Sequence, residues 1–213
     1  MIISFPKSNV LFEKVKKMPE ASYSAPPRKT VAQIRHVAEQ LAAALEISER
    51  PLFPIMQVIE HDLDQELNLL KFEVWSSEEM GITEGLSFVD GDVPRIVLAE
   101  HIYTGAWRGQ WRARRVAAHE LGHWALHPRL WAWDLASMRL APSAANDTFV
   151  EDEADIFSIE LLMPLRHIRL TDTVLDVVQR FQAPRGIAEN RLRAAHLVRA
   201  RQKRTASQRP AVL

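Results

Sequence analysis

Arg114-Arg115-Val116-Ala117-Ala118-His119-Glu120-Leu121-Gly122-His123-Trp124-Ala125-Leu126-His127 decides the reading of this chain. Its centre, His119-Glu120-Leu121-Gly122-His123, has the form H-E-x-x-H. Residues four apart share one face of a helix. Two imidazoles at that spacing suit neighbouring corners of a tetrahedral Zn²⁺ site. The intervening Glu120 is placed to take a proton from water that the metal activates. The flanking residues Val116, Ala117, Ala118, Leu121, Trp124, Ala125 and Leu126 are apolar, so the helix is expected to be buried rather than a solvated strut. A buried His pair needs polar partners, and a metal is an effective one. The residues thus point to metal-assisted hydrolysis.

The chain has 213 residues, 47% of them hydrophobic and 25% charged, which fits one soluble globular domain with a small appendage. No apolar run approaches the length of a membrane span. The segment Met1-Ile2-Ile3-Ser4-Phe5-Pro6-Lys7 lacks the apolar core of a secretory signal, so a cytoplasmic address is expected. There is no cysteine, which excludes thiolate ligands and leaves His and carboxylate for a zinc site.

Net charge is zero but unevenly spread. Residues 166–213 hold ten Arg, Lys203 and only Asp172, Asp176 and Glu189 on the acidic side. Such a segment reads as a solvated helical face with a basic tail, or as a surface for nucleic acid or an acidic partner.

Outward from the box, the pattern gives three parts: an N-terminal extension over residues 1–28, a core domain over 29–165, and the basic helical segment over 166–213. Val31, Ile34, Val37, Ala38, Leu41 and Leu45 recur at helical spacing, so a helix is predicted from Thr30 to about Ile47, and a second over Ile55–Leu67. Leu70 to Trp75 alternates as a strand does. Gly85–Val89 and Pro94–Ala99 flank Asp90-Gly91-Asp92, a hairpin signal, and Pro94 places its strand at an edge or at its own start. A small antiparallel sheet is therefore predicted before the box helix. That helix is expected from about Gln110 to Pro128, with a loop over 128–147 that begins with Leu130, Trp131 and Trp133. A further helix is predicted from Thr148 to Pro164, and two more over Thr171–Phe181 and Gly186–Lys203. The fold class is α+β and mainly helical.

A catalytic zinc usually has three protein ligands and an open position. The third is sought in Glu151-Asp152-Glu153-Ala154-Asp155. Glu151 and Asp155 share a face, which suits a ligand plus an Asp that holds a ligand His by its other ring nitrogen. Spacing leaves Glu151, Glu153, Asp155, Asp134, Asp147 and His127 open. His127 follows His123 by four residues, unlike the metzincin pattern, and is read as structural.

The combination of His119-Glu120-Leu121-Gly122-His123-x-x-Leu126-His127, Glu151-x-Glu153-Ala154-Asp155-x-Phe157 and Leu161-Leu162-Met163-Pro164 resembles the ImmA/IrrE metallopeptidase family. The resemblance extends over about residues 30–200 and is motif-grade over 115–165. It departs from the family at Arg115-Val116-Ala117, where an aromatic-Thr-aliphatic run is common, at Ser158 in place of Ala, and at Asp155 in place of the commoner Asn. It implies a gluzincin-like core, Zn²⁺ on His119, His123 and Glu151, Glu120 as the catalytic base, and Asp155 behind a ligand. It also implies proteolysis of a regulator such as a helix-turn-helix repressor. An oxyanion donor is expected, with Tyr103 a candidate, and the strand at Ile96–Leu98 is a candidate edge for an extended substrate. The rival reading is a non-catalytic zinc-binding regulator whose helices over Leu175–Ala195 bind DNA or a partner.

Overall fold

The computed structural model describes residues 27–91, 93–127 and 147–207. The N-terminal stretch 1–26, the loop that begins with Leu130, Trp131 and Trp133, and Asp134 lie outside the described residues, as do 208–213.

Helix α1, Val31–Ala44, starts at a capping box in which Thr30 Oγ1 accepts from Gln33 N–H while the Gln33 side chain accepts from Thr30 N–H. Its apolar face buries Ile34, Ala38 and Ala42. The second expected helix forms as a π-helix over Gln57–Glu66, which buries Val58, Ile59 and Leu63.

Three strands follow: β1 (Lys71–Trp75), β2 (Gly85–Asp90) and β3 (Val93–Ala99), in the order β1-β3-β2. The hairpin β2–β3 is antiparallel as expected, with Val89 opposite Pro94. The sheet is nevertheless mixed, because β1 runs parallel to β3, with Phe72 opposite Ile96. This corrects the all-antiparallel expectation. It also moves Ile96–Leu98 from the edge to the centre. The physical sign is the run Ile96-Val97-Leu98-Ala99, every residue of which is fully buried. A strand covered on both faces reads as continuous apolar sequence rather than as alternation. Pro94 is the second residue of β3, where a missing N–H is tolerated.

From β3 the chain passes into α2, Glu100–Trp107, and then α3, Trp111–Leu126, which carries the box. Helix α4 spans Asp147–Leu162 and packs along α3. Two positions fix how closely. A Cβ on Gly122 would sit 3.0 Å from Phe157 Cδ1 and 3.2 Å from Ala154 Cα. The glycine of the box is therefore needed for close approach of two helices, not for an unusual backbone angle.

Helices α5 (Val174–Phe181) and α6 (Arg185–Ser207) pack on each other and close the far side. Several of their arginines point inward to protein acceptors. Arg191 donates to Glu160 Oε1 and Oε2 at 2.8 and 2.6 Å and to the Met163 carbonyl at 2.6 Å. Arg180 pairs with Asp172 and reaches the His167 carbonyl. Arg199 donates to the Ile168 carbonyl. Glu160 also takes Arg35 of α1 at 2.9 and 3.1 Å, so one carboxylate joins α1, α4 and α6. Among the described residues, no helix is long and apolar enough to cross a membrane.

Candidate metal centre

Helix α3 sets His119 and His123 one turn apart, and the close approach at Gly122 brings the first turns of α4 over them. Three side chains converge. His119 Nε2 lies 3.0 Å from His123 Nε2 and 3.0 Å from Glu151 Oε2, and His123 Nε2 lies 3.4 Å from Glu151 Oε1. Two imidazole nitrogens and a carboxylate turned on one point are hard to satisfy by protons alone, since a neutral imidazole has one donor. Bonds of 2.0–2.1 Å at tetrahedral angles put ligand atoms about 3.3 Å apart, so the spacing suits a small cation held by two nitrogens and an oxygen. The donor set fits zinc. Among the described residues, His119, His123 and Glu151 form the one group of at least three such side chains able to hold a metal.

The charges around the cluster agree with this geometry. Hydrogen bonds from His119 and His123 hold the Glu151 carboxyl far below the usual carboxylate range. Burial disfavours the His119 cation, but its bonds to Glu151 and Asp155 and the Glu120 charge outweigh this and raise its pKa. The site faces solvent on the α4 side, where Glu151 is half-exposed.

Asp155, one turn beyond Glu151, places Oδ1 3.0 Å from His119 Nδ1. The same oxygen accepts Arg115 Nη2 at 2.9 Å. Arg115 stands where the sequence departs from the family's usual run, and it braces the carboxylate that orients His119. Ser158 donates to the Asp155 carbonyl at 2.7 Å, which ties down the same turn.

The other candidate ligands fall elsewhere. Glu153 faces away from His119 and His123, with its carboxylate against Lys29 N–H and beside the Lys29 ammonium. His127, at the end of α3, is buried against Glu153 rather than turned to the cluster. The Asp147 side chain and Asp134 lie outside the described residues. Tyr103 donates to Glu60 Oε2 at 3.2 Å and packs on the Phe72 ring, so its hydroxyl serves the π-helix and not the metal cluster.

Glu120 is 7% exposed. Burial raises its pKa, while the nearby His123, the Ser87 hydroxyl and His119 pull the other way. Its neighbours on β2 were not legible as site residues: Ser87 Oγ lies 2.6 Å from Glu120 Oε2, and Gly85 packs on the same side chain. Period-two alternation tells which residues of a strand share a face, but not which helix that face meets.

No curated protein matches this chain. A family model described as the IrrE N-terminal-like domain of peptidase family M78 matches residues 85–193, from the first residue of β2 to the middle of α6. That span takes in the strand beside Glu120, both helices of the candidate metal site and the Arg191 clamp, and on it the chain belongs to the M78 peptidase family.

Proposed function

We propose that this chain is a zinc-dependent endopeptidase of the cytoplasm whose substrate is a regulatory protein of the helix-turn-helix repressor class. The observation that carries the hydrolytic reading is the convergence of His119, His123 and Glu151 at ligand spacing with Glu120 on the same helix. His119, His123 and Glu151 would hold the zinc, which when bound would supply Lewis acidity, lowering the pKa of water toward 7 and polarising a carbonyl. Asp155 with Arg115 fixes the His119 ring. Glu120 accepts the proton of the attacking water and passes it to the leaving amine. A carboxyl whose pKa is raised by burial is a stronger base than an ordinary one, which suits it to take the proton of the water.

Strand β2 is an edge of the sheet and lies against the box helix, so its outer side replaces Ile96–Leu98 as the place where an extended peptide adds. The repressor class comes from the resemblance to ImmA/IrrE proteins, and a substrate of that class supports the cytoplasmic reading.

The test uses zinc-loaded full chain and a helix-turn-helix repressor encoded beside it, with products read by mass spectrometry. The wild type is expected to cleave the repressor at one or a few bonds. Glu120→Gln is expected to keep its zinc and lose on the order of a hundred- to ten-thousand-fold in rate. Equal cleavage by both would place the chemistry elsewhere. Binding without cleavage by either would favour the non-catalytic regulator, and a salt-sensitive gel shift with duplex DNA would favour its nucleic-acid form.

A further inference from the structure

Helices α3 and α4 account for the metal ligands, and strand β2 stands beside them with two residues on Glu120. Gly85 and Ser87 are two apart and so lie on one face of the strand. Ser87 Oγ is 2.6 Å from Glu120 Oε2 and 3.0 Å from the Glu120 carbonyl oxygen. A hydroxyl has one proton, and 2.6 Å is the length of an O–H donor on a carboxylate, so the proton goes to Oε2.

At Gly85 the constraint is space. Its φ is not positive, so its backbone needs no glycine. A Cβ there, however, would come 2.7 Å from Glu120 Cγ, 2.7 Å from Oε1 and 3.0 Å from Cδ. The clash falls on the stem of the side chain as well as its tip. Glu120 therefore lies in a slot on the face of β2, over the absent side chain of Gly85 and within reach of the Ser87 hydroxyl. A free glutamate samples many rotamers; these two contacts restrict the choice for this one.

We propose that Ser87 and Gly85 are positioning residues that fix Glu120 for its proton transfers, a proposal whose chemistry rests on the peptidase reading. The Ser87 hydroxyl acts through the carboxylate. Its effect on turnover must then vanish when Glu120 can no longer act as a base.

The test compares Ser87→Ala, Ser87→Thr, Glu120→Gln and the double variant Ser87→Ala/Glu120→Gln as full chains. Ser87→Ala is expected to lower kcat about 10- to 100-fold, the scale of a misplaced catalytic group, with KM and zinc content little changed. Ser87→Thr keeps the hydroxyl and is expected to recover most of the rate. The double variant is expected to be no slower than Glu120→Gln. A loss in KM alone, or the same fold-loss in both backgrounds, overturns the proposal.

A second readout needs no substrate. The visible absorption of the cobalt-loaded protein reports the surroundings of the metal's open position. Ser87→Ala and Glu120→Gln are expected to shift it at unchanged cobalt content, and Ser87→Thr to leave it as in the wild type. Identical spectra in all four proteins, or a wild type that takes up no cobalt, overturn the proposal. Shifted spectra in a wild type that cleaves no repressor would instead overturn the peptidase reading and leave the slot standing. Gly85→Ala checks the other wall: a wild-type spectrum and rate there also count against the slot.

Discussion

His127 Nε2 lies 3.3 Å from Glu153 Oε2, with both side chains 1% exposed, where α3 and α4 meet. Neither ring nitrogen of His127 makes a hydrogen bond among the described residues. Burial, with Lys29 and His123 nearby, pushes the His127 pKa down from 6.5 to about 3, so the folded protein holds the ring neutral.

The sign of the pH effect follows. Between about 3 and 6.5 the unfolded chain binds a proton on His127 that the folded chain refuses. Stability therefore rises with pH across that window and is lost as pH falls through it. His127→Gln is expected to show a shallower slope of unfolding free energy against pH between 4 and 6.5, read by urea titration. Parallel slopes for the two proteins would show that His127 titrates normally.

Metal affinity separates Glu151 from Glu153. Glu151→Gln removes an anionic ligand and is expected to weaken zinc binding by at least the 10- to 100-fold seen when a residue behind a ligand is lost. Asp155→Ala, which frees His119 Nδ1, is expected to fall within that range. Glu153→Gln is expected to change zinc affinity less than either. Competition with a chromogenic chelator measures all three, and a larger loss for Glu153→Gln would move the ligand two residues along α4.

Gly122→Ala tests the close approach of α3 and α4. Alanine improves helix propensity by about 1 kcal/mol. Overpacking against Ala154 Cα and the Phe157 ring costs about 1–3 kcal/mol, and one of the two obstacles is backbone. The net effect is expected to be a loss of stability together with weaker zinc binding, because α4 carries Glu151. A variant more stable than the wild type with unchanged zinc affinity would refute this account of the glycine.

Glu160 gives an acid limit. Burial would raise its pKa, but hydrogen bonds from Arg191 and Arg35 prevail and hold it below 4.5. Its contribution is present above that value and is lost as pH falls through the lower folded value. Glu160→Gln leaves Arg191 buried without its anion and is expected to cost about 3–5 kcal/mol at pH 7, the range for a broken buried pair. The gap to the wild type is expected to narrow as pH falls below 4.5. A gap that is small at pH 7, or constant with pH, would mean that the three-helix clamp is not what holds α6.

The helices were the legible part of this fold. Apolar residues at helical spacing marked α1 and the box helix, and the box with Glu151 and Asp155 named the side chains that converge, because i, i+4 spacing is itself a geometric statement. The partner of β1 was not legible. Alternation from Leu70 to Trp75 fixes the faces of a strand but says nothing of whom it pairs with, and parallel pairing to β3 is a long-range choice. Helix α2 went unread because Ile102, Thr104 and Gly105 are poor helix formers. Its glycine is explained only by the fold, where a Cβ would meet Gln110 Oε1 at 2.7 Å. The slot around Glu120 was hidden for the same reason: it joins residues 33 positions apart.

The clamp on Glu160 also bears on where this protein can be cut. A sequence boundary between 165 and 166 divides a core from a basic appendage, yet Arg191 reaches back across it to a carboxylate that is 3% exposed. A chain ended at 165 would keep Arg35 on Glu160 and lose the other cation, the cap on the Met163 carbonyl and the Arg114 bond to the Phe181 carbonyl. A piece that keeps these bonds around α3 and α4 thus runs past Arg191, and the basic segment is partly an internal strut of the fold rather than a detachable arm.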